Sequence, residues 1–301
     1  MKVAIIGIGS IAKKAYLPIL SAMDDVELLI STRNGKVLDE VSNKYKIDRA
    51  YNKLDNLLKE DFDAAIISTH ADGHYEIAKR LLEKGVNIYI DKPITYNLEK
   101  SMEIEAIAKK KNVIAMVGFN RRFCPMFNKL KDKGKADIII MQKNRDYPPG
   151  DIRRFIVEDF IHVVDTLRFL MDEEVNNMDI NFSKSGNKLN NVVVTFKGNK
   201  TTAIGIMNRT AGITEENIEY MVNGNKYIVE DLVDFYKVNN NGKTKTTYGG
   251  WENTLYKRGF EDLITHFLTC IKEGKTPNPS FEDSIITHKI CEDITEYIME
   301  N

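Results

Sequence analysis

Residues 2–12, KVAIIGIGSIA, constrain the fold more than any other stretch: a short apolar run breaks at two glycines two positions apart and resumes as a helical pattern. An apolar run of that length, closed by glycine, reads as a buried β-strand rather than a signal segment or a membrane span, which needs about 20 apolar residues. Gly7 permits the tight turn out of the strand, Gly9 lets the backbone approach a pyrophosphate, and Ala12 takes the third small position, where helix meets strand. The first helical turn, at Ser10 and Ile11, offers unpaired N–H groups and a positive dipole end to phosphates.

The same grammar continues to about Phe119. Buried strands are expected at Ala64–Ser68, Asn87–Ile90 and Val113–Val117, and the amphipathic segment HYEIAKRLLEKG is a helix closed by Gly85. Strands alternating with helices make a doubly wound parallel sheet, an α/β Rossmann domain over residues 1–119. Beyond it come a strand around 137–143 and a helix around 159–171. Strands then follow at 192–196, 202–207, 218–222 and 227–230, joined by turns such as KGNK and NGNK. Residues 120–301 therefore read as an α+β domain with an antiparallel sheet, closed by helices at 256–272 and 281–299. Ser280 and Asp283 have capping-box spacing before the last helix.

Composition narrows the partners. With 43 Lys+Arg against 44 Asp+Glu, there is no global field to draw the chain to nucleic acid or an anionic membrane, so a small molecule is expected. Cys124, Cys270 and Cys291 are odd in number and lack C-x-x-C spacing, which argues against a disulfide framework or a zinc site and fits the cytoplasm.

About 22 residues past Gly9, the second strand ends in Ser31-Thr32-Arg33-Asn34. An NAD site usually carries an acid here for the ribose 2′-hydroxyl, whereas hydroxyls and an arginine suit a 2′-phosphate. Thr32, Arg33 and Asn34 are thus candidate cofactor contacts, with NADP(H) preferred and NAD(H) the second candidate. The other reading is a solvated loop that says nothing of the cofactor.

Six segments in chain order carry a family resemblance: GIGSIAKKAYLPIL, IISTHADGHYEIA, IDKPIT, VGFNRRFCPMF, EDFIHVVD and FLTCIKEGKTPNPSFED. Together they resemble the Gfo/Idh/MocA oxidoreductases, the family of glucose-fructose oxidoreductase and inositol dehydrogenase. The resemblance implies hydride transfer between a nicotinamide and a secondary alcohol or ketone of a sugar, cyclitol or related polar substrate bound where the domains join. It also implies a large, mostly antiparallel second sheet that makes a homodimer or homotetramer. Asp91-Lys92-Pro93 stands for the family's E-K-P: Lys92 would stabilise a developing alkoxide and share its proton, and Pro93 suggests a rigid, cis turn. A Lys–Asp ion pair without chemistry is the alternative.

The family's D-x-G-x-H appears as Glu158-Asp159-Phe160-Ile161-His162. His162 is the expected base and Glu158 the carboxylate one helical turn before it. Phe160 replaces the glycine, Asp159 is an extra acid assigned to substrate, and Asp165 competes with Glu158 to orient the imidazole. His74 matches a family position beside the cofactor loop, although it could equally cap its helix; after Thr69 the family would place a proline at or beside His70, and the resemblance turns the loop backbone at Thr69 to the nicotinamide ribose. Asn120 is the expected substrate contact at the junction, with one of Arg121 and Arg122 in an ion pair between domains. Tyr147, Arg153 and Arg154 flank a Pro-Pro-Gly loop, where they either recognise a polar or anionic substrate or lie in solvent. Two rival functions remain on this scaffold: a dinucleotide-binding regulator without turnover, and another nicotinamide reaction such as imine or enone reduction or redox-assisted glycoside cleavage.

Overall fold

The computed structural model describes residues 1–301. They form two compact units, Met1–Gly118 with Phe260–Ile285, and Phe119–Gly259 with Ile286–Asn301. The sequence reading gave everything after residue 119 to one domain, whereas the segment Phe260–Ile285 clusters with the N-terminal sheet.

The first unit is built on β1 (Lys2–Ile6), β2 (Glu27–Ser31), β3 (Arg49–Tyr51), β4 (Ala64–Ile67), β5 (Asn87–Ile90) and β6 (Ala115–Val117). All neighbours pair in parallel in the order β3-β2-β1-β4-β5-β6. Residues Val3–Ile5, Ala64–Ile67 and Ile88–Ile90 have no exposure, as strands covered on both faces require. The winding reverses between β1 and β4, and in such sheets ligands bind outside the carboxyl ends of the strands at that point. Gly7 leaves β1 at φ +92, and a Cβ there would lie 2.6 Å from Thr69 N, so no other residue makes this turn without displacing the loop after β4. Helix follows at once, with a π-helical turn at Ala12–Tyr16.

Helix Phe260–Glu273 completes this unit through aromatic contacts: Phe260 lies 6.2 Å from the Tyr16 ring, and Phe267 5.7 Å from that of Tyr89. The single helix expected over 256–272 is in fact two. Thr254–Lys257 is a short turn, Gly259 then adopts φ +74, and Phe260 restarts the helix. A Cβ on Gly259 would run into the backbone of Asn120, Phe123 and Cys124, which is why helical periodicity cannot carry through it.

The second unit holds β7 (Ile138–Asp146), β8 (Gly150–Asp151), β9 (Asn177–Ser185), β10 (Lys188–Lys197), β11 (Thr202–Asn208), β12 (Thr210–Val222), β13 (Asn225–Glu230), β14 (Asp234–Asn239) and β15 (Gly242–Thr246). Their path is β15-β14-β13-β12-β7-β11-β10-β8, with β9 also on β10; only β7 and β11 run parallel. The β12–β13 hairpin turns at Asn223 and Gly224, both at positive φ (51 and 69), the geometry that Asn-Gly favours. Helix Ile161–Met171 packs on β7 and β11, and Gly205 of β11 makes the room. A Cβ at Gly205 would approach Val163 Cγ1 to 2.8 Å and Phe160 Cζ to 3.2 Å. Ser280 Oγ accepts from Asp283 N–H at 3.0 Å, starting helix Phe281–Glu300 as the capping-box spacing implies.

Candidate active site

At the carboxyl end of β1, Gly9 and Ser10 are exposed and Ile11 is half-buried. The space over Gly9 is open, since a Cβ there would find only Ser68 O, at 3.9 Å. The helix that follows has its first-turn N–H groups unsatisfied by geometry, so this surface fits a pyrophosphate. After β2, Thr32 is half-buried and Arg33 exposed. Asn34 caps helix Gly35–Tyr45, its Oδ1 accepting from Val37 N–H at 3.3 Å, so that oxygen already has a structural duty.

Asp91, Lys92 and Pro93 follow β5, and the Lys92–Pro93 peptide is cis. Asp91 Oδ1 accepts the Lys92 backbone N–H at 3.0 Å. Burial pushes the Asp91 carboxyl up, while the charges of Lys92 and His74 and the Tyr16 hydroxyl hold it back. Tyr16 and Tyr89, neither singled out from sequence, lie behind it with hydroxyls 3.1 Å apart. His74 does not cap its helix: its Nδ1 is 2.9 Å from Pro93 O and its Nε2 3.0 Å from Thr69 O, tying the loop after β4 to the turn after β5. The Thr69 hydroxyl donates to His70 O at 3.2 Å.

In the second unit, His162 is buried, and its Nε2 lies 3.4 Å from Arg121 Nη1. A guanidinium only donates, so that ring nitrogen presents its lone pair. Arg121 also grips Glu216 through Nε (3.0 Å) and Nη2 (2.8 Å). Asn120 has partners at both ends of its amide, Arg121 Nη1 donating to Oδ1 (2.9 Å) and its own Nδ2 donating to Arg258 O (2.8 Å). Asp165 does not turn to the imidazole: Arg122 holds it in a forked pair at 2.6–3.1 Å and Thr287 donates to it. Arg121 and Arg122 each have an ion pair inside this unit. Glu158 is half-buried on a π-helical turn, Phe155–Phe160, whose wider i→i+5 bonding means that four residues fall short of a full turn before His162.

Asp159 gathers three cations: Lys143 Nζ at 2.6 Å, Arg209 Nη2 at 3.3 Å and Arg145 Nη2 at 3.6 Å. Lys143 has no exposure, and burial lowers its pKa to about 8 against the opposing pull of Asp159. These three were missed, yet for Lys143 and Arg145 a signal exists: in β7, positions 139, 141, 143 and 145 share a face, and that face changes from Ile and Met to Lys and Arg. A cavity of about 460 Å³ is bordered by Arg121, Arg145, Glu215, Glu216, Lys257 and Arg258. Tyr147 is 57% exposed, and Arg154 is exposed with its N–H capped by Asp151. Arg153 pairs with Glu292 at 2.6 Å.

Residues 1–119 match the model of an oxidoreductase family with an NAD-binding Rossmann fold, and residues 125–240 match a YceM-like C-terminal domain. A putative oxidoreductase, YceM of Salmonella typhimurium, is 30% identical over 97% of this chain and 96% of its own. The myo-inositol 2-dehydrogenase of Thermotoga maritima is 25% identical over 94% of this chain and 92% of its own. A crystal structure of a Clostridium difficile dehydrogenase superposes with TM-score 0.92 at 30% identity, covering 99% of both chains.

Proposed function

This chain belongs to the Gfo/Idh/MocA family of NAD-dependent oxidoreductases, and from that premise we propose that it interconverts a secondary alcohol and a ketone on a sugar, cyclitol or related polar molecule, with NADP(H) preferred over NAD(H). When bound, the nicotinamide supplies the hydride acceptor or donor. Residues 1–119 carry the dinucleotide, with Gly7, Gly9, Ser10 and Ile11 at the pyrophosphate, Thr32, Arg33 and Asn34 toward the adenosine ribose, and Thr69, His74, Asp91 and Lys92 around the nicotinamide end. Residues 120–301 supply the substrate contacts, for which Asn120, Tyr147, Arg154, Asp159 and His162 are the candidates, and the second sheet joins copies in a dimer or tetramer.

The observation that carries this reading is the turn Asp91-Lys92-Pro93 at the carboxyl end of β5, in a sheet whose glycine turn lies at the winding reversal. An ammonium there stabilises an alkoxide that forms as the hydroxyl proton leaves, and His162 takes that proton at Nε2 in exchange for its 3.4 Å contact with Arg121 Nη1. Glu158 is the lesser partner that orients the imidazole. Lys92→Met should leave dinucleotide affinity nearly intact and lower kcat on a responsive polyol by about 10² or more, with His162→Ala alike. Near-normal turnover in Lys92→Met would sink the mechanism.

A further inference from the structure

Around Asp159, three cations share one carboxylate: Lys143, Arg145 and Arg209. Glu216 stands opposite Lys143 in the β7–β12 register but is committed to Arg121 by two hydrogen bonds. Glu215 accepts from the amides of Asn144 and Asn217 at 2.7 and 2.8 Å. Water does not make up the difference: the Nε atoms of Arg145 and Arg209 are shielded from solvent and have no hydrogen-bond partner. An N–H that has lost water without gaining an acceptor is destabilising; each guanidinium reaches Asp159 through Nη2, and an anion laid against the two forks supplies further acceptors.

The two arginines are held for such a role. Arg209 stacks on Phe155, 4.7 Å from the ring centroid, and lies against Gly150, where a side chain would displace it. Arg145 borders the cavity of about 460 Å³. Both side chains keep some exposure, 25% for Arg145 and 16% for Arg209, so a ligand can reach them from outside.

We infer that the substrate carries an anionic group, a carboxylate or a phosphate, bound jointly by Arg145 and Arg209. The inference deepens the proposed oxidoreductase reading and rests on it only for the word substrate. The test compares glucuronate and glucose 6-phosphate, each with glucose, in the wild type, Arg145→Gln and Arg209→Gln, alongside calorimetric binding of inorganic phosphate and of malonate. One charge-assisted contact predicts that the wild type favours a charged member by about tenfold or more in kcat/KM, mainly through KM, and that either substitution removes most of that preference. The pair that shows the preference tells carboxylate from phosphate, and NADPH titration of the variants reports that the fold is intact.

If none of the sugars turns over, anion binding decides. Phosphate or malonate bound by the wild type and lost in both variants sustains the anion site while the hydride-transfer reading fails. Binding that is absent, or that survives both substitutions, overturns it. Turnover of glucose as good as that of both charged sugars overturns it too and leaves the oxidoreductase reading standing.

Discussion

A lysine without solvent contact in a sheet is costly unless something holds its charge, and at Lys143 that something is Asp159 at 2.6 Å. Burial wins part of the contest, taking the ammonium from 10.5 to about 8. Between those two values the unfolded chain binds a proton that the folded chain has released. Wild-type stability should therefore rise as pH climbs from about 8 toward 10.5, a rise that Lys143→Met should lack. Urea midpoints of the two proteins across that range check the slope, and equal slopes would show that Lys143 stays charged. At the cofactor end, Arg33 is exposed and Thr32 half-buried beyond β2. Arg33→Ala should weaken NADPH by roughly ten- to a hundredfold and leave NADH nearly unchanged in fluorescence titrations; tighter NADH than NADPH binding in the wild type would refute the preference.

Helix Ile161–Met171 and strand β11 meet at a single small residue, and that contact explains a departure the motif comparison left unexplained. Phe160 stands where the family has glycine, and its ring is fully buried with Cζ facing the place where Gly205 has no Cβ. Gly205→Ala should cost about 1–3 kcal/mol by overpacking. Adding Val163→Ala should recover part of it, since the new methyl lies 2.8 Å from Val163 Cγ1. Denaturant unfolding of the two single variants and the double one tests this, and strict additivity would place the strain elsewhere. The elements themselves were legible where burial is one-sided or complete. β1, β4 and β5 read directly as apolar runs, and the Asn223-Gly224 turn read as a hairpin. β9 and β15 did not: one alternates half-buried and exposed residues without a buried one, and the other, GKTKT, is exposed throughout, so pairing alone defines them. The glycine turn, Lys92 and His162 were visible because local order or motif marks them. The cluster of Lys143, Arg145 and Arg209 was not, because β7 and the residue between β11 and β12 come together only through the sheet.

At the scale of the whole molecule, the first unit is discontinuous in sequence, and its stability depends on residues from near the far end of the chain. Phe267 has no exposure and lies against Tyr89, so Phe267→Ala should cost about 3–5 kcal/mol. The loss should appear in the unfolding transition that bound NADPH protects, followed by thermal denaturation with and without the cofactor. A change confined to a transition that cofactor leaves untouched would contradict the assignment of Phe260–Ile285 to this unit. The discontinuity also sets a timetable during synthesis. Strands β1 to β6 leave the ribosome first, at roughly 5–20 residues per second, but the helix that covers Tyr16 and Tyr89 is not translated until every strand of the other sheet has been made. The unit that is begun first is thus completed only after both sheets have been made. A nascent chain that can hold its dinucleotide firmly is therefore one that has already made the strands of both sheets.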